Sequence, residues 1–402
     1  MSCGQQALLR AKIKYDKYYA SEIDKYAIQV TQHNYPNTIQ LGSVVDIDIS
    51  RLEPIDLLIG GSPCQSFSLA GKRNGMTTTC NEEIYTLGRY LELKSDGFQF
   101  EGESYLFWEY MRILTDIRKY NPDVLFLLEN VEMGNKWERI LSEAIGIYGV
   151  HINSALVSAQ NRKRIYWTNI RVREEGLFGE LHSDIPQPED RGILLKDILE
   201  DNVDEKYYLS DKMLNYFNNR AANFNNGKIN IRNENDKATT ITASCKSVDI
   251  SDNFIKDSIC VAMRGRNPDN PSDRRTGSPT EQRLEPNLSG KTNTLTSVQK
   301  DNLVMQINPS LESGGKQPYQ QNRIYSTDGI MPALSAQLGG RNNILTQTGI
   351  RRLTPVECER LQTVNDNYTA CVSDSQRYKM LGNGWTIDVI AHIFSFINNG
   401  ET

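Results

Sequence analysis

With 402 residues the chain exceeds the usual size of a single domain, so we expect one large core and a second, smaller unit. Its 38% hydrophobic and 24% charged residues are ordinary for a globular enzyme, and the lack of a long apolar run argues against a membrane span. The net charge of −5 gives no overall signature of a nucleic-acid binder, so local patches must decide that question.

The cysteines and the first residues exclude further classes of protein. Seven cysteines without a CxxC pair or a Cys/His cluster argue against a disulfide framework and against a metal site. The opening segment, MSCGQQALLRAK, lacks the charged and apolar regions of a signal peptide, which predicts a cytoplasmic protein.

Short apolar runs alternate with amphipathic stretches from Tyr18 to about Asn169, as in KYYASEID, IDLLIGG, DVLFLLENV, INSALV and RIYWTNI. This rhythm predicts βαβ units, in which helices cover a parallel sheet. Ligand sites in such sheets lie beyond the carboxyl ends of the strands. The motifs described below each follow one of these runs.

The composition changes after about residue 200 to Asn, Thr, Ser and Gly. Three similar pieces, TITASCK at 240–246, TLTSVQKDN at 294–302 and ALSAQLGGRNN at 333–343, indicate a β-rich module. They form either a weak internal repeat or a coincidence of composition. From residue 350, TPVECERLQ and TIDVIAHIFSFI predict helices that pack back onto the first domain. We therefore predict a core made of 1–200 and 346–402, with 201–345 as the second domain.

Cys64 is the first candidate for chemistry. The segment GGSPCQSFS follows the apolar run IDLLIG, so Cys64 occupies a strand-to-loop corner that exposes a side chain in a cleft. A thiolate is a strong nucleophile, and nearby cations or backbone N–H groups promote its formation. A lone cysteine is more often a small buried hydrophobe, so its partners must decide its role.

Two further motifs supply those partners. Glu129 and Asn130 end the apolar run in LLENV, where a desolvated carboxyl group can hold or share a proton. QNRKRIYW then provides Gln160, Arg162 and Arg164. Alternate spacing on an extended segment directs both arginines to one side. A solvated or salt-bridged strand face is the alternative interpretation of these arginines.

These motifs carry a family resemblance. Pro63-Cys64-Gln65, Glu129-Asn130-Val131, the Gln160-x-Arg162-x-Arg164 run, RRLTPVECERLQ at 351–362 and GNGWTIDVI at 382–390 are similar, in order and spacing, to the motifs of DNA (cytosine-5) methyltransferases. The resemblance covers 1–170 and 350–395, and MSCGQ and GNGWT look closest to the branch of animal de novo enzymes and phage and bacterial relatives. It implies an α/β class I S-adenosylmethionine-dependent methyltransferase (Rossmann-like) sheet with a β-rich target-recognition domain.

The resemblance also implies roles in methylating duplex DNA. Cys64 would attack C6 of a flipped cytosine, and Glu129 would hold N3. Arg164, with Arg162 beside it, would stabilise charge at O2. The implied substrate-binding residues are Gln65, Ser66, Asn130 and Gln160.

S-adenosylmethionine is the implied cofactor, and no metal is expected. Glu22 suits the ribose hydroxyls, and Asp46 suits the adenine amino group. The expected apolar neighbours are Ile23, Val45 and Ile47, and the expected methionine side is formed by Ser2, Cys3, Gly4, Asn383 and Trp385.

The family pattern opens with an apolar strand and a Phe-x-Gly-type turn, and Met1 falls inside that turn. We therefore expect a mid-sheet strand to be missing ahead of Met1. Two alternatives stay open: a tRNA cytosine-5 methyltransferase, against which the length of 201–345 argues, and a catalytically impaired DNA-binding relative. A cysteine hydrolase lacks support, because none of the four histidines sits in a comparable motif.

Overall fold

The chain divides into two compact units. The core unit comprises 1–199, 235–247 and 355–402, and the β-rich unit comprises 200–234 and 248–354. The computed structural model describes residues 1–63, 82–98, 100, 103–177, 179–208, 231–232, 236–241, 254–266, 281–287 and 347–397, with backbone alone for 205, 231–232, 254–266, 281–287 and 347–350. Relative to the predicted boundaries, 235–247 belongs to the core unit and 346–354 to the β-rich unit.

Hydrogen bonds explain why the chain returns to the core unit near residue 238. The Ala238 N–H donates to the Ala159 carbonyl at 2.8 Å, and the Asn161 N–H donates to the Ala238 carbonyl at 2.8 Å. The Lys237 ammonium donates to the carbonyl of Ala155 at 2.7 Å. These contacts are long-range in sequence, so composition could not reveal them.

In its described part, the core unit combines parallel and antiparallel strand pairs. Its described strands are β1 (Tyr19–Ser21), β2 (Ile39–Gly42), β3 (Leu57–Gly61), β4 (Leu125–Val131), β5 (Val150–Asn153), β6 (Lys163–Thr168), β7 (Val172–Glu175) and β8 (Glu180–Ser183). The four-stranded sheet has the order β3-β4-β6-β5, while β1 pairs with β2 and β7 with β8.

The predicted parallel sheet is in fact mixed. β3 and β4 are parallel, but β6 runs antiparallel to both β4 and β5. Only 154–162 separate β5 from β6, and a parallel crossover needs a dozen or more residues. The short connection therefore forces an antiparallel pairing.

The pairing of β1 and of β3 is relevant to the extra strand that we expect ahead of Met1. Among the strands that the structure describes, β1 pairs only with β2, and β3 pairs only with β4. A further mid-sheet strand ahead of Met1 stays a prediction.

Helices cover the sheet and close the core unit. The described helices are α1 (Cys3–Arg10), α2 (Lys25–Asn34), α3 (Leu87–Ser95), α4 (Leu106–Arg118), α5 (Asn135–Ile145), α6 (Pro355–Leu361), α7 (Asp374–Asn383) and α8 (Ile387–Phe394). α8 packs against α1, so the end of the chain returns to its beginning. No helix in the described part of the chain is long and apolar enough to cross a membrane.

The core behind the sheet makes the strand ends rigid. α4 contributes Phe107, Trp108 and Leu114, and β4 contributes Phe126 and Leu128, all of them fully buried. Burial of each such side chain stabilises the fold by ~1.5–3 kcal/mol. The ends of β3 and β4, which carry the candidate motifs, are thus fixed by a packed core.

The β-rich unit is built around one long strand. β10 (Phe254–Arg266) pairs antiparallel with β11 (Glu281–Asn287) and β12 (Gln347–Arg352), and parallel with β9 (Ile231–Arg232). The strands agree with the β-rich composition of this region. The similar pieces at 294–302 and 333–343 lie outside the described residues, as does 242–246.

Candidate active site

A buried ion pair marks the end of β4. The Glu129 residue is 8% exposed, and its Oε1 lies 2.9 Å from Nε of Arg164. In the β4/β6 ladder, Glu129 faces Tyr166 and Val131 faces Arg164, which brings the arginine to the strand end beside the carboxylate. A carboxylate held in this way has a fixed orientation, which a group that shares a proton with a substrate requires.

Gly61 allows two side chains to converge at this strand end. It pairs with Glu129 across the parallel β3/β4 ladder. A Cβ at Gly61 would lie 3.1 Å from Oε2 of Glu129 and 3.1 Å from the indole Nε1 of Trp385. A side chain here would crowd both groups, so the close approach depends on glycine.

Asn130 ties the end of β4 to the segment that leads to Cys64. Its Nδ2 donates to Oγ of Ser62 at 2.8 Å, and its Oδ1 accepts from the N–H of Val131 at 2.8 Å. Asn130 is 1% exposed, so its amide is engaged with the protein itself. Cys64, with Gln65 and Ser66, lies outside the described residues, and their predicted roles stay predictions.

The other members of the arginine motif differ in their surroundings. Arg162 is 4% exposed, and its guanidinium donates to the carbonyls of Ile241, Gly382 and Gly384. Gln160 is fully buried, and neither polar atom of its amide has a hydrogen-bond partner in the described part of the chain. Within this motif, Arg164 forms the ion pair with Glu129 described above.

The residues expected to hold an adenosine follow two adjacent parallel strands. Glu22 follows β1, and its Oε1 accepts from the N–H groups of Ile23 at 2.8 Å and Asp24 at 2.9 Å. Ile23 is 76% exposed, and Asp46, in the turn after β2, is also exposed. Carboxylates and an uncovered apolar side chain at one sheet edge suit a nucleoside, so these residues fit the expected cofactor.

Arg112 holds the turn that contains Asp46. Its guanidinium donates to the carbonyls of Ile47 at 3.0 Å and Val44 at 3.1 Å. Its Nε lies 2.7 Å from Oε2 of Glu109, a carboxylate that is fully buried in α4. The turn that contains Asp46 is therefore anchored to the core.

The expected methionine side assembles around the start of α1. A Cβ at Gly384 would lie 3.5 Å from the sulfur of Cys3, and a Cβ at Gly4 would collide with Ile59 and Tyr18. Burial raises the pKa of the Cys3 thiol, although a backbone N–H of Trp385 bonds to its sulfur. A neutral, buried thiol is a poor nucleophile, so Cys3 is suited to lining the expected cofactor site and not to attacking a base.

The exposures of the remaining expected cofactor residues vary. Ser2 is buried and its hydroxyl donates to Gln5, whereas Ile47 and Trp385 are half-buried and Asn383 is exposed. Cys3 and Trp385, far apart in sequence, are thus brought together at one place.

Three features of this region escaped the sequence reasoning. These are the Asn130–Ser62 bond, the close approach at Gly61 and the support from Glu109 through Arg112. The lone carboxylate among apolar residues in LFWEYMRIL was the available signal for Glu109. The other two depend on contacts that no local pattern encodes. Among the described residues, no group of three or more His, Cys, Asp or Glu could hold a metal ion.

The chain has the Rossmann-like fold of the class I S-adenosylmethionine-dependent methyltransferases. The fold is similar to that of the Entamoeba histolytica methyltransferase EhMeth, with a TM-score of 0.55 at 13% identity over 100% of this chain and 95% of that one. It is also similar to S. pombe Dnmt2, with a TM-score of 0.52 at 15% identity over 99% and 95% of the two chains. At these identities the likeness concerns the fold alone.

The chain belongs to the C-5 cytosine-specific DNA methylase family, whose model matches residues 2–399. It is 28% identical to the orphan methyltransferase M.SPRI of Bacillus phage SPR over 97% of this chain and 93% of that protein. It is 30% identical to the type II methyltransferase M.NlaX of Neisseria lactamica over 51% and 58% of the two chains. The predicted family is confirmed, and S-adenosylmethionine is the methyl donor of C-5 DNA methyltransferases.

Proposed function

We propose that this protein methylates C5 of a cytosine flipped out of duplex DNA, through a covalent bond between Cys64 and the base. The observation that carries the proposal is the buried Glu129–Arg164 pair at the end of β4. Glu129 pairs with Gly61, the last residue of β3. Cys64 follows Gly61 by three residues in the chain. The relatives are methyltransferases of bacteria and their phages, which favours DNA in the cytoplasm of a bacterial or phage-infected cell as the place of action.

The chemistry begins with a change in the reactivity of the base. Cytosine C5 is a poor nucleophile until the Cys64 thiolate forms a bond to C6 and pushes electron density into the ring. Glu129 shares a proton with N3, and Arg164 stabilises the charge that develops at O2. The ion pair keeps both groups aimed at one edge of the base.

The methyl group and the leaving proton complete the reaction. When bound, S-adenosylmethionine would supply an electrophilic methyl group to the activated C5, with the electrons of its sulfur–methyl bond leaving on S-adenosylhomocysteine. A base then removes the C5 proton, the electrons of the C5–H bond re-form the C5–C6 double bond, and the bond from C6 to Cys64 breaks to release the thiolate. The free enzyme is thereby regenerated.

Residues of the core unit would hold the cofactor along the strand ends. Glu22 would bind the ribose hydroxyls, and Asp46 the adenine amino group. Ile23 and Ile47 would flank the ring. Ser2, Cys3, Gly4, Asn383 and Trp385 would close the methionine side. The exposed Ile23 supports this arrangement, because an uncovered apolar side chain is suited to a ligand.

The target base must leave the helix before any of this chemistry, since a stacked base hides C5 and C6. We assign the choice of target sequence to 201–345. Its long central strand offers a β scaffold for Arg, Lys, Asn and Gln side chains that read base edges. Gln65, Ser66, Asn130 and Gln160 belong to the proposed substrate side of the core unit.

Methyl transfer from labelled S-adenosylmethionine tests the proposal directly. We expect label in duplex DNA and none in tRNA, and bisulfite sequencing of DNA from expressing cells should reveal the methylated site. DNA that contains 5-fluorocytosine should trap the protein as a denaturation-resistant adduct, because its C5 cannot lose a proton. Label in tRNA alone would favour the tRNA enzyme. Transfer to normal DNA without the adduct would contradict covalent attack by Cys64.

A further inference from the structure

Arg162 is a buried cation that donates hydrogen bonds to backbone carbonyls. Its Nη2 donates to the carbonyl of Gly384 at 2.9 Å and of Gly382 at 3.3 Å, and its Nη1 donates to the carbonyl of Ile241 at 3.3 Å. Gly382 and Gly384 are the neighbours of Asn383 in the chain. The guanidinium therefore binds the backbone of the segment that contains Asn383 and Trp385.

This segment needs such a partner because it is the junction of two helices. α7 ends at Asn383 and α8 begins at Ile387. The last four carbonyls of a helix have no partner within the helix, and the partial negative charge there attracts a cation. Arg162 meets both requirements at the end of α7. Its fork of donors reaches two carbonyls of the junction together, which a single ammonium cannot reproduce with the same geometry.

The junction is held on its other side by hydroxyl and amide groups. Thr386 donates to Oε1 of Gln362 at 2.9 Å and accepts from Oγ of Ser154 at 2.8 Å. Between these supports, the indole of Trp385 reaches the ends of β3 and β4 at Gly61. A shift of the junction would therefore move Trp385 directly.

We propose that Arg162 is a positioning residue for the cofactor-binding junction, acting through Gly382 and Gly384, and that it does not contact the base. The inference rests on the proposed function, in which Asn383 and Trp385 close the methionine side. It changes the role that the motif resemblance implies for Arg162. Arg164, which contacts Glu129, keeps the role at the base.

Tryptophan fluorescence gives a direct measure of the junction. The chain has four tryptophans, of which Trp108, Trp137 and Trp167 are buried and Trp385 is half-buried. Quenching by acrylamide therefore reports mainly on Trp385, and Trp385→Phe supplies the background. We expect Arg162→Lys to increase the quenching that depends on Trp385, and this measurement needs no ligand.

Kinetics then separate positioning from base contact. Arg162→Lys should raise the Kd for S-adenosylhomocysteine and the KM for S-adenosylmethionine about tenfold, because an ammonium cannot reproduce the paired hydrogen bonds of the guanidinium. A tenfold change corresponds to about 1.4 kcal/mol. At saturating cofactor, kcat should stay near the wild-type value. Unchanged quenching and KM would overturn the proposal, whether or not kcat falls; a fall in kcat alone would assign Arg162 to the base.

Two more variants guard against trivial explanations. Arg360→Lys is the control, because the Arg360 guanidinium also donates to a backbone carbonyl, that of Ile198 at 2.9 Å. This variant should leave cofactor binding and acrylamide quenching unchanged. Gly384→Ala leaves the Arg162 side chain itself unaltered but strains the same junction, because its Cβ would lie 2.5 Å from Cε of Met1 and 3.1 Å from the Met380 carbonyl. It should reproduce the increased quenching and the raised Kd even if Arg162→Lys fails to fold, and failure to do so would overturn the proposal. Wild-type protein that binds cofactor but transfers no methyl group would contradict the proposed function alone.

Discussion

Replacing Glu109 by Gln should destabilise the core unit strongly. The carboxylate is fully buried and accepts hydrogen bonds from Tyr90 at 2.5 Å, Lys94 at 2.5 Å and Arg112 at 2.7 Å. An amide keeps one acceptor but loses the negative charge, so two cations are left poorly compensated. Removing one partner of a buried pair costs about 3–5 kcal/mol. Lys94 and Arg112 retain some exposure, so we expect about 3 kcal/mol, a fall in Tm of roughly 6–12 °C.

The effect should depend on pH in a defined direction. Burial alone would raise the pKa of Glu109, but the hydrogen bonds from Lys94, Tyr90 and Arg112 outweigh it and lower the pKa. A lowered pKa in the folded state gives stability that is fully present above the ordinary value of about 4.3 and is lost as the pH falls through the lowered value. The difference in Tm between wild type and Glu109→Gln should therefore be constant near neutrality and narrow only in acid.

Differential scanning calorimetry from pH 7 to well below pH 4 would measure both effects, because the narrowing occurs below the ordinary pKa of a glutamate. Glu92→Gln is the matched control, because that side chain is 68% exposed and its pair with Arg89 is a surface pair worth at most about 1 kcal/mol. Arg112 also holds the turn at Asp46, so Glu109→Gln should weaken cofactor binding as well. A Tm for Glu109→Gln equal to that of Glu92→Gln would refute the reasoning.

Three further predictions concern chemistry, packing and specificity. Cys64→Ala should abolish methyl transfer, by several decades of rate, while duplex DNA binding in a gel-shift assay stays near wild type; near-normal transfer would exclude the covalent mechanism. Gly61→Ala should lower cofactor affinity with little loss in Tm, because its Cβ would press on Trp385 and Glu129 at 3.1 Å, and an unchanged Kd by calorimetry would count against that close contact. Exchange of 201–345 for the corresponding segment of a relative should move the methylated site in bisulfite sequencing without changing the modified base; an active chimera that keeps its original site would disprove the assignment.

The core strands could be predicted from sequence because their information is local. DVLFLLENV and RIYWTNI are apolar runs that become β4 and β6, and Glu129 lies near the carboxyl end of β4, as its place in the run predicts. The direction of β6 was harder, since the apolar pattern of a strand is the same whether it pairs parallel or antiparallel. The short 154–162 connection indicates that β6 is antiparallel to β5, but only once it is known that these two strands are neighbours in the sheet.

By itself, the sequence determined the family, the order of the motifs and the residue types that chemistry needs, because these are properties of short segments and their spacing. Tertiary structure decided which of those residues touch one another. Arg162 and Arg164 look equivalent in the motif, yet Arg164 meets Glu129 while Arg162 meets Gly382 and Gly384. The physical reason is that a guanidinium takes the partners that packing brings within about 3 Å, and the end of α7 reaches Arg162 only when the last helices fold back onto the core.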